Sequence, residues 1–355
     1  MSAQKVAVVI LNFNGKSFLQ KFLPGIISNS APHKIVVADN GSSDDSITFL
    51  KHHFKQVQII ENGGNYGYAK GYNLALQKLE AEYFILLNSD VEVTENWIEP
   101  IISLMEKDKQ IAACQPKILD FNKRTTFEYA GAAGGYIDKF GYPFCRGRIF
   151  NSLEEDTGQY NTAIETFWAT GACLFVRCAA FRQVGGFDDD YFAHMEEIDL
   201  CWRLKNFGHK IYVEPASVIY HIGGGTLNKL SKRKTFLNFR NNLITYTKNS
   251  APRFLLWRII HRVNLDGIAA FKFLFDGQPK HFFAVLKAHF YYYFWLRNTL
   301  SKRKAMKKLP GFKFTTTEIY QANIVTEHFL KHKKKFSELR GTFFIKNPAT
   351  KNELT

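Results

Sequence analysis

The chain has 355 residues, enough for one large domain or two ordinary ones, and its composition (46% hydrophobic, 15% aromatic, 22% charged) excludes a disordered, collagenous or low-complexity protein. Its formal charge of +15 is unevenly spread: residues 231–355 hold 25 Lys and Arg against 6 Asp and Glu, whereas 1–230 hold 22 against 26. The first part therefore reads as an ordinary enzyme and the last third as a region drawn to an anionic surface.

In chain order, Val6–Leu11 is an apolar run suited to a strand buried on both faces, broken by Asn12 to Gly15. A helical pattern opens at Ser17. Lys34–Ala38 is a second strand ending at Asp39, and Asp44 or Ser43 caps the next helix. Val57–Ile60 is a third strand, Tyr72–Leu79 a helix and Tyr83–Leu87 a fourth strand, after which Thr94 caps a helix through Met105. Residues 120–165 are rich in Gly and aromatics and read as irregular. Farther on, FWATGACLFV reads as a strand, Glu196 to Phe207 as a helix stopped by Gly208, and KIYVE and SVIYHI as two strands. Beyond Leu230, residues 254–275 and 281–297 are helical in composition, with wide apolar faces bordered by SKRK, SKRKAMKK and KHKKK.

Alternating strands and helices predict an α/β fold: a Rossmann-like, mostly parallel sheet flanked by helices. Parallel strands end on one side, so the polar clusters Asn12/Asn14, Asp39–Ser42 and Asn88–Asp90 converge on one edge, where such sheets bind ligands. The dinucleotide signature G-x-G-x-x-G and the Walker pattern are absent from VVILNFNG. Gly63, Gly64, Gly67 and Gly71 allow a ligand to approach backbone N–H groups at a helix start. Asp90 is a hard oxygen ligand, and His221 a further candidate that suits Mn²⁺ better than Mg²⁺. Of the adjacent acids Glu196 and Glu197, one is free to cap its helix or face solvent while the other faces a cleft as a general base.

The cysteines (114, 145, 173, 178 and 201) are odd in number and lack Cys-x-x-Cys spacing, which points to a reduced, cytosolic setting without disulfides or structural zinc. VAVVIL is too short for a signal segment, and no apolar run reaches the about 18 residues of a spanning helix.

The motifs VVILNFNG (8–15), VVADNGSSDDS (36–46), ENGGNYGYAKGYN (61–73), LLNSD (86–90), TGACLFVR (170–177), GGFDDDYFAHMEEIDLCWR (185–203) and YHIGGGT (220–226) together resemble a family 2 glycosyltransferase of the GT-A fold, rhamnosyltransferase-like branch. The resemblance covers 6–230 and implies a catalytic domain over 1–230; composition and charge set a basic, aromatic-rich helical region over 231–355 apart from it. It implies a nucleotide-sugar pocket lined by Asn12, Asn14, Asp39, Asn40, Ser42, Asn65, Gly67, Asn73, Asn88, Ser89, Gly171 and Ala172. Asp90 and His221 would hold Mg²⁺ or Mn²⁺, with Asn88 replacing the first Asp of the family's Asp-x-Asp. Glu197 falls at the catalytic-base position, with Glu196 beside it. The expected reaction is inverting transfer from a dTDP- or UDP-sugar, rhamnose first, to a glycan or lipid-linked acceptor in surface polysaccharide assembly such as O-antigen. The tail is expected on an anionic membrane surface, peripheral on the inner face of the cytoplasmic membrane. Two other classes fit less well. A nucleotidyltransferase would need a Gly-rich loop with Arg or Lys that LNFNG lacks. Nucleic-acid binding by the tail would need a module that is not visible.

Overall fold

The computed structural model describes residues 4–223 and 231–345. Its first half follows β1 (Gln4–Asn12), α1 (Lys16–Ser30), β2 (Lys34–Asp39), α2 (Ser46–His53), β3 (Gln58–Glu61), α3 (Gly67–Leu76) and β4 (Ala81–Asn88). β1 lies between β2 and β4, and β3 extends the row, all parallel. Side chains alternate across the pleat. Val6, Val8 and Ile10 enter the core on one face, and Ala7 and Val9 the core on the other. Tyr83, Ile85 and Leu87 of β4 divide from Phe84 and Leu86 in the same way, which is why these runs are apolar at every position.

The second half adds β5 (Val91–Val93), α4 (Glu99–Lys107), β6 (Ile111–Asp120), β7 (Gly135–Asp138), β8 (Pro143–Cys145), β9 (Arg148–Ile149), β10 (Ser152–Leu153), β11 (Ile164–Thr166), β12 (Cys173–Arg177), α5 (Cys178–Gln183), α6 (Glu196–Asn206) and β13 (Lys210–His221). The large sheet runs β11-β13-β6-β12-β4-β1-β2-β3, with β5 on β13. β12 is antiparallel to both neighbours, while β13 runs parallel to β6. Then come α7 (Lys232–Asn249), α8 (Leu255–Phe275), α9 (Pro279–Lys307) and β14 (Ile319–Tyr320).

Several expectations change. KIYVE and SVIYHI form one strand, β13, continuous through a bulge between Glu214 and Val218 that accommodates Pro215, which cannot donate to a ladder. Residues 120–165 are mostly turns and loops, as expected, but the short strands β7 to β10 among them build a second sheet, completed by β14. In FWATGACLFV only the residues from Cys173 onward are strand, and that strand runs on to Arg177. The helix expected over Tyr72–Leu79 runs instead from Gly67 to Leu76; its two glycines lower helix propensity, which hides the first turns, but permit close packing. Thr94 caps no helix: its hydroxyl donates to the Val218 carbonyl, and α4 starts at Glu99 with a proline in its first turn.

The tail helices pack on the rest of the chain. α7 lies against α6 and α9, and its buried face is largely polar, with Asn241, Asn242, Thr245, Thr247 and Asn249 among its residues. On α8, Asp266 takes Arg262, the Tyr142 hydroxyl and His289. Both α8 and α9 keep an outward apolar stripe: Trp257, Ile260, Ile268, Phe271 and Phe275, then Phe283, Leu286, Phe290 and Phe294. Among the described residues no helix is long and apolar enough to cross a membrane. All five cysteines are free and buried.

Candidate functional site

At the ends of β1 and β2 the polar residues build one another's positions. The Asn12 amide donates to Asp39 Oδ1 at 3.0 Å and to Ser42 Oγ at 3.1 Å. Asp39 Oδ2 accepts the backbone N–H groups of Gly41 and Ser42. Asn14, at φ 51°, accepts the N–H groups of Ser43 and Asp44. Asn40 reaches the next loop, donating to the Gly67 carbonyl at 3.0 Å and to Asn65 Oδ1 at 3.4 Å. Thus Asn12, Asn14, Asp39, Asn40, Ser42, Asn65 and Gly67 form one connected rim on the carboxyl edge of the sheet. Both Asp39 oxygens are already engaged by protein donors.

At the end of β4, the Asn88 N–H donates to the Ala172 carbonyl at 3.0 Å, and Ser89 lies beside Gly15. The following Asp90 is buried, and its Oδ1 stands 3.2 Å from His221 Nε2 at the end of β13. Strand pairing sets this meeting, because β13 runs beside β5, with His221 opposite Val91. The other ring nitrogen, Nδ1, stands 3.3 Å from Glu128 Oε2, at ion-pair distance though not aligned as a hydrogen bond. Burial lowers the His221 pKa, but the two carboxylates outweigh it and raise it to about 10.

These residues fit a divalent cation. Two ligand atoms in adjacent positions of an octahedral ion at about 2.1 Å are about 3 Å apart, close to the observed separation of Asp90 Oδ1 and His221 Nε2. Among the described residues no group of three His, Cys, Asp or Glu side chains converges as a closed cage. The pair therefore suits an ion that completes its shell from a ligand and water. Gly224 to Thr226 of the last motif lie outside the described residues.

Glu196 and Glu197 open α6. Two consecutive left-handed residues, His194 (φ 70°) and Met195 (φ 74°), precede them. Such backbone costs of order 1–3 kcal/mol per residue and persists only when its surroundings fix it. Here Asn241 of α7 donates to both the Ala193 and His194 carbonyls, at 3.0 and 2.8 Å. Farther up the same loop, the Tyr68 N–H donates to the Phe192 carbonyl at 2.7 Å. Lys248 and Lys302 both pair with Asp188, so α7 and α9 brace the segment leading to the acids.

Neither acid faces open solvent. Glu196 is buried and Glu197 half-buried, and each has one oxygen without a hydrogen-bond partner. Burial, then the neighbouring Glu197, pushes Glu196 well above the usual carboxylate range. Burial pushes Glu197 up to about 7, while backbone N–H groups of the first helical turn pull the other way. The Tyr68 hydroxyl, raised by burial and by both acids among its neighbours, donates to the Gly171 carbonyl at 2.7 Å and ties the pair to residues 170–172. The Cys145 thiol, raised chiefly by burial, is raised further by Glu128 and Glu197, so the acid pair and the His221 cluster share a neighbour.

Asn73 stands apart from the rim. Its amide exchanges hydrogen bonds with the Phe187 backbone and reaches Asp189, fixing the segment that leads to α6. Sequence reasoning missed Glu128, Tyr68, Asn241, Lys248 and Lys302. Only Tyr68, inside a quoted motif, carried a readable signal.

The model of the family "Glycosyl transferase family 2" matches residues 7–185. The N-acetylglucosaminyl-diphospho-decaprenol L-rhamnosyltransferase of Mycobacterium tuberculosis is 27% identical over 234 residues, covering 60% of this chain and 75% of that protein. Rhamnosyltransferase WbbL of Escherichia coli is 24% identical over 225 residues, covering 61% and 83%. Among solved structures, GalNAc-T7 with UDP, GalNAc and Mn²⁺ superposes at a TM-score of 0.55 with 18% identity, over 71% of this chain. The aligned part is about half (49%) of that chain, and the likeness is one of fold.

Proposed function

This chain belongs to glycosyl transferase family 2, and from that premise we propose that it moves a sugar, with inversion, from a dTDP- or UDP-linked donor to a hydroxyl of a lipid-linked glycan. The observation that carries the proposal is Glu197: a half-buried carboxylate with an unpartnered oxygen, poised near neutrality beside Tyr68 and Gly171. Glu196, more deeply buried, is pushed toward its protonated form by burial and by Glu197, beside which it stands.

Glu197 takes the acceptor hydroxyl proton as that oxygen bonds to the anomeric carbon. The bond from this carbon to the nucleoside diphosphate breaks, and the diphosphate leaves with the electron pair. One displacement inverts the centre and needs no enzyme nucleophile. The donor lies across the Asn12–Asp39–Asn65 rim, with Asn88, Ser89, Gly171 and Ala172 beside its diphosphate and sugar. Asp90 and His221 would hold Mn²⁺ or Mg²⁺, which when bound stabilises negative charge on the leaving diphosphate; a carboxylate with an imidazole favours Mn²⁺. Rhamnose from dTDP is the first donor to test, since two relatives are named rhamnosyltransferases, one for a diphospho-decaprenol substrate.

The acceptor's lipid fits the tail. Exposed aromatic stripes on α8 and α9, bordered by Arg253, Arg258, Lys272, Lys280, Lys287 and Arg297, suit helices lying in an anionic headgroup layer on the inner face of the cytoplasmic membrane. Flotation with phosphatidylglycerol vesicles, but not with phosphatidylcholine vesicles alone, is the expected result. A protein left behind by both would remove the membrane from the account.

The direct test offers dTDP-rhamnose and a panel of UDP-sugars with a short-chain N-acetylglucosaminyl-diphospholipid, read by mass spectrometry. One sugar added from one donor is expected. Donor hydrolysis or transfer that persists at the wild-type rate in Glu197→Gln would contradict the assigned base.

A further inference from the structure

We infer that Glu128 is a positioning residue of the candidate metal site, holding His221 through Nδ1 so that Nε2 faces the ion; this rests on the reading of Asp90 and His221 as ligands. Glu128 lies in no recognised motif. It is brought to His221 by the chain reversal after β6: Phe127 bridges Leu119, the Glu128 N–H donates to the Ile118 carbonyl, and β13 runs parallel to β6 with His221 opposite Asp120.

The geometry separates a positioning role from direct ligation. Asp90 Oδ1 stands on the Nε2 edge of the imidazole at 3.2 Å, and Glu128 Oε2 on the Nδ1 edge at 3.3 Å. The ring lies between the two carboxylates, so an ion shared by Asp90 and Nε2 is out of reach of Glu128. A carboxylate on the far nitrogen favours a proton on Nδ1, which leaves Nε2 as the nitrogen whose proton a bound ion would displace.

Glu128 is itself held in place. It is 2% exposed, and its Oε2 accepts the Ala130 N–H. Gly223, two residues after His221, passes directly over it at φ +70°. A Cβ at position 223 would stand 2.7 Å from Glu128 Oε1, so the chain following the histidine is shaped to this carboxylate. Solvent access would not explain a carboxylate so buried and so close to the ring. A partner that orients the ring explains both.

The test measures Mn²⁺ binding by electron paramagnetic resonance, with MnCl₂ titrated into the full chain in the presence of UDP or dTDP. Wild type, Glu128→Gln, Glu128→Asp and His221→Ala are compared at matched folded fraction by circular dichroism. Gln keeps the shape without the charge, and Asp keeps the charge but withdraws it by one methylene. The expected result is a roughly 10- to 100-fold weaker Mn²⁺ affinity in Glu128→Gln, the usual scale for losing such a partner, and a larger loss in His221→Ala. Wild-type affinity in a folded Glu128→Gln, or in a folded Glu128→Asp if the Gln variant does not fold, overturns the inference and leaves the ligands standing. Mn²⁺ affinity unchanged in His221→Ala, or no Mn²⁺ binding by the wild type, overturns the metal reading and this inference with it.

Discussion

Glu197→Gln is expected to do two opposite things at once. The substitution removes the proposed base, so transfer falls by orders of magnitude while the nucleotide still binds. It also removes a carboxylate that the fold tolerates poorly. Moving a carboxyl from 4.5 to about 7 corresponds to about 3 kcal/mol between its protonation states. The sign follows from linkage. Below pH 4.5 the acid is protonated in folded and unfolded chains alike, and the variant gains nothing. As pH rises from 4.5 to 7 the unfolded chain ionises first, so the wild type loses stability that the variant keeps. Above pH 7 the difference is full, of order 3 kcal/mol in favour of Gln. Urea unfolding of both proteins at pH 4.5 and pH 8 reads it directly. For the wild type, kcat should climb with pH through an apparent midpoint near 7. A variant less stable than wild type at pH 8, or a gap that does not widen with pH, would refute the account of a strained, desolvated acid.

Gly67→Ala places a Cβ 2.2 Å from the Phe192 carbonyl at φ +75°, adding a left-handed penalty of about 1–2 kcal/mol to a backbone clash. It should lower the melting temperature and displace the segment before Glu196; wild-type melting and turnover would contradict that packing. Asn241→Ala leaves the Ala193 and His194 carbonyls without their donor and should cost about 1–3 kcal/mol. If Asn241 holds the acids in register, kcat falls at least tenfold while KM for the donor barely changes; lost stability with unchanged kcat would make Asn241 structural only.

The carboxyl edge was legible in the sequence because parallel strands leave no choice about where their ends lie. Asn12, Asp39 and Asn88 end β1, β2 and β4, and the order of the motifs supplied the rest. What escaped was set by long-range pairing. β6, with Gln115 and Lys117 among its buried residues, carries a polar pattern that does not read as strand. Glu128 meets His221 only through the register of β13 on β6. α7 has no apolar stripe, since much of its buried face is amides and hydroxyls that bond to the acid segment and its neighbours. The start of the acid-bearing helix at Glu196 was legible, but neither acid lies in open solvent. The His194–Met195 turn that buries them is a backbone choice made by Asn241 and Tyr68, not by local propensity.

The measurement that reaches the central claim most directly is calorimetric titration of UDP and dTDP, each with Mn²⁺ or with EDTA, into the wild type and Asp90→Asn. If the donor diphosphate and a cation meet at the end of β4, one nucleotide binds the wild type with Mn²⁺, binds far more weakly with EDTA, and loses that metal dependence in Asp90→Asn. Equal binding across all four conditions would place the nucleotide, or the cation, somewhere other than the edge built by Asn12, Asp39, Asp90 and His221.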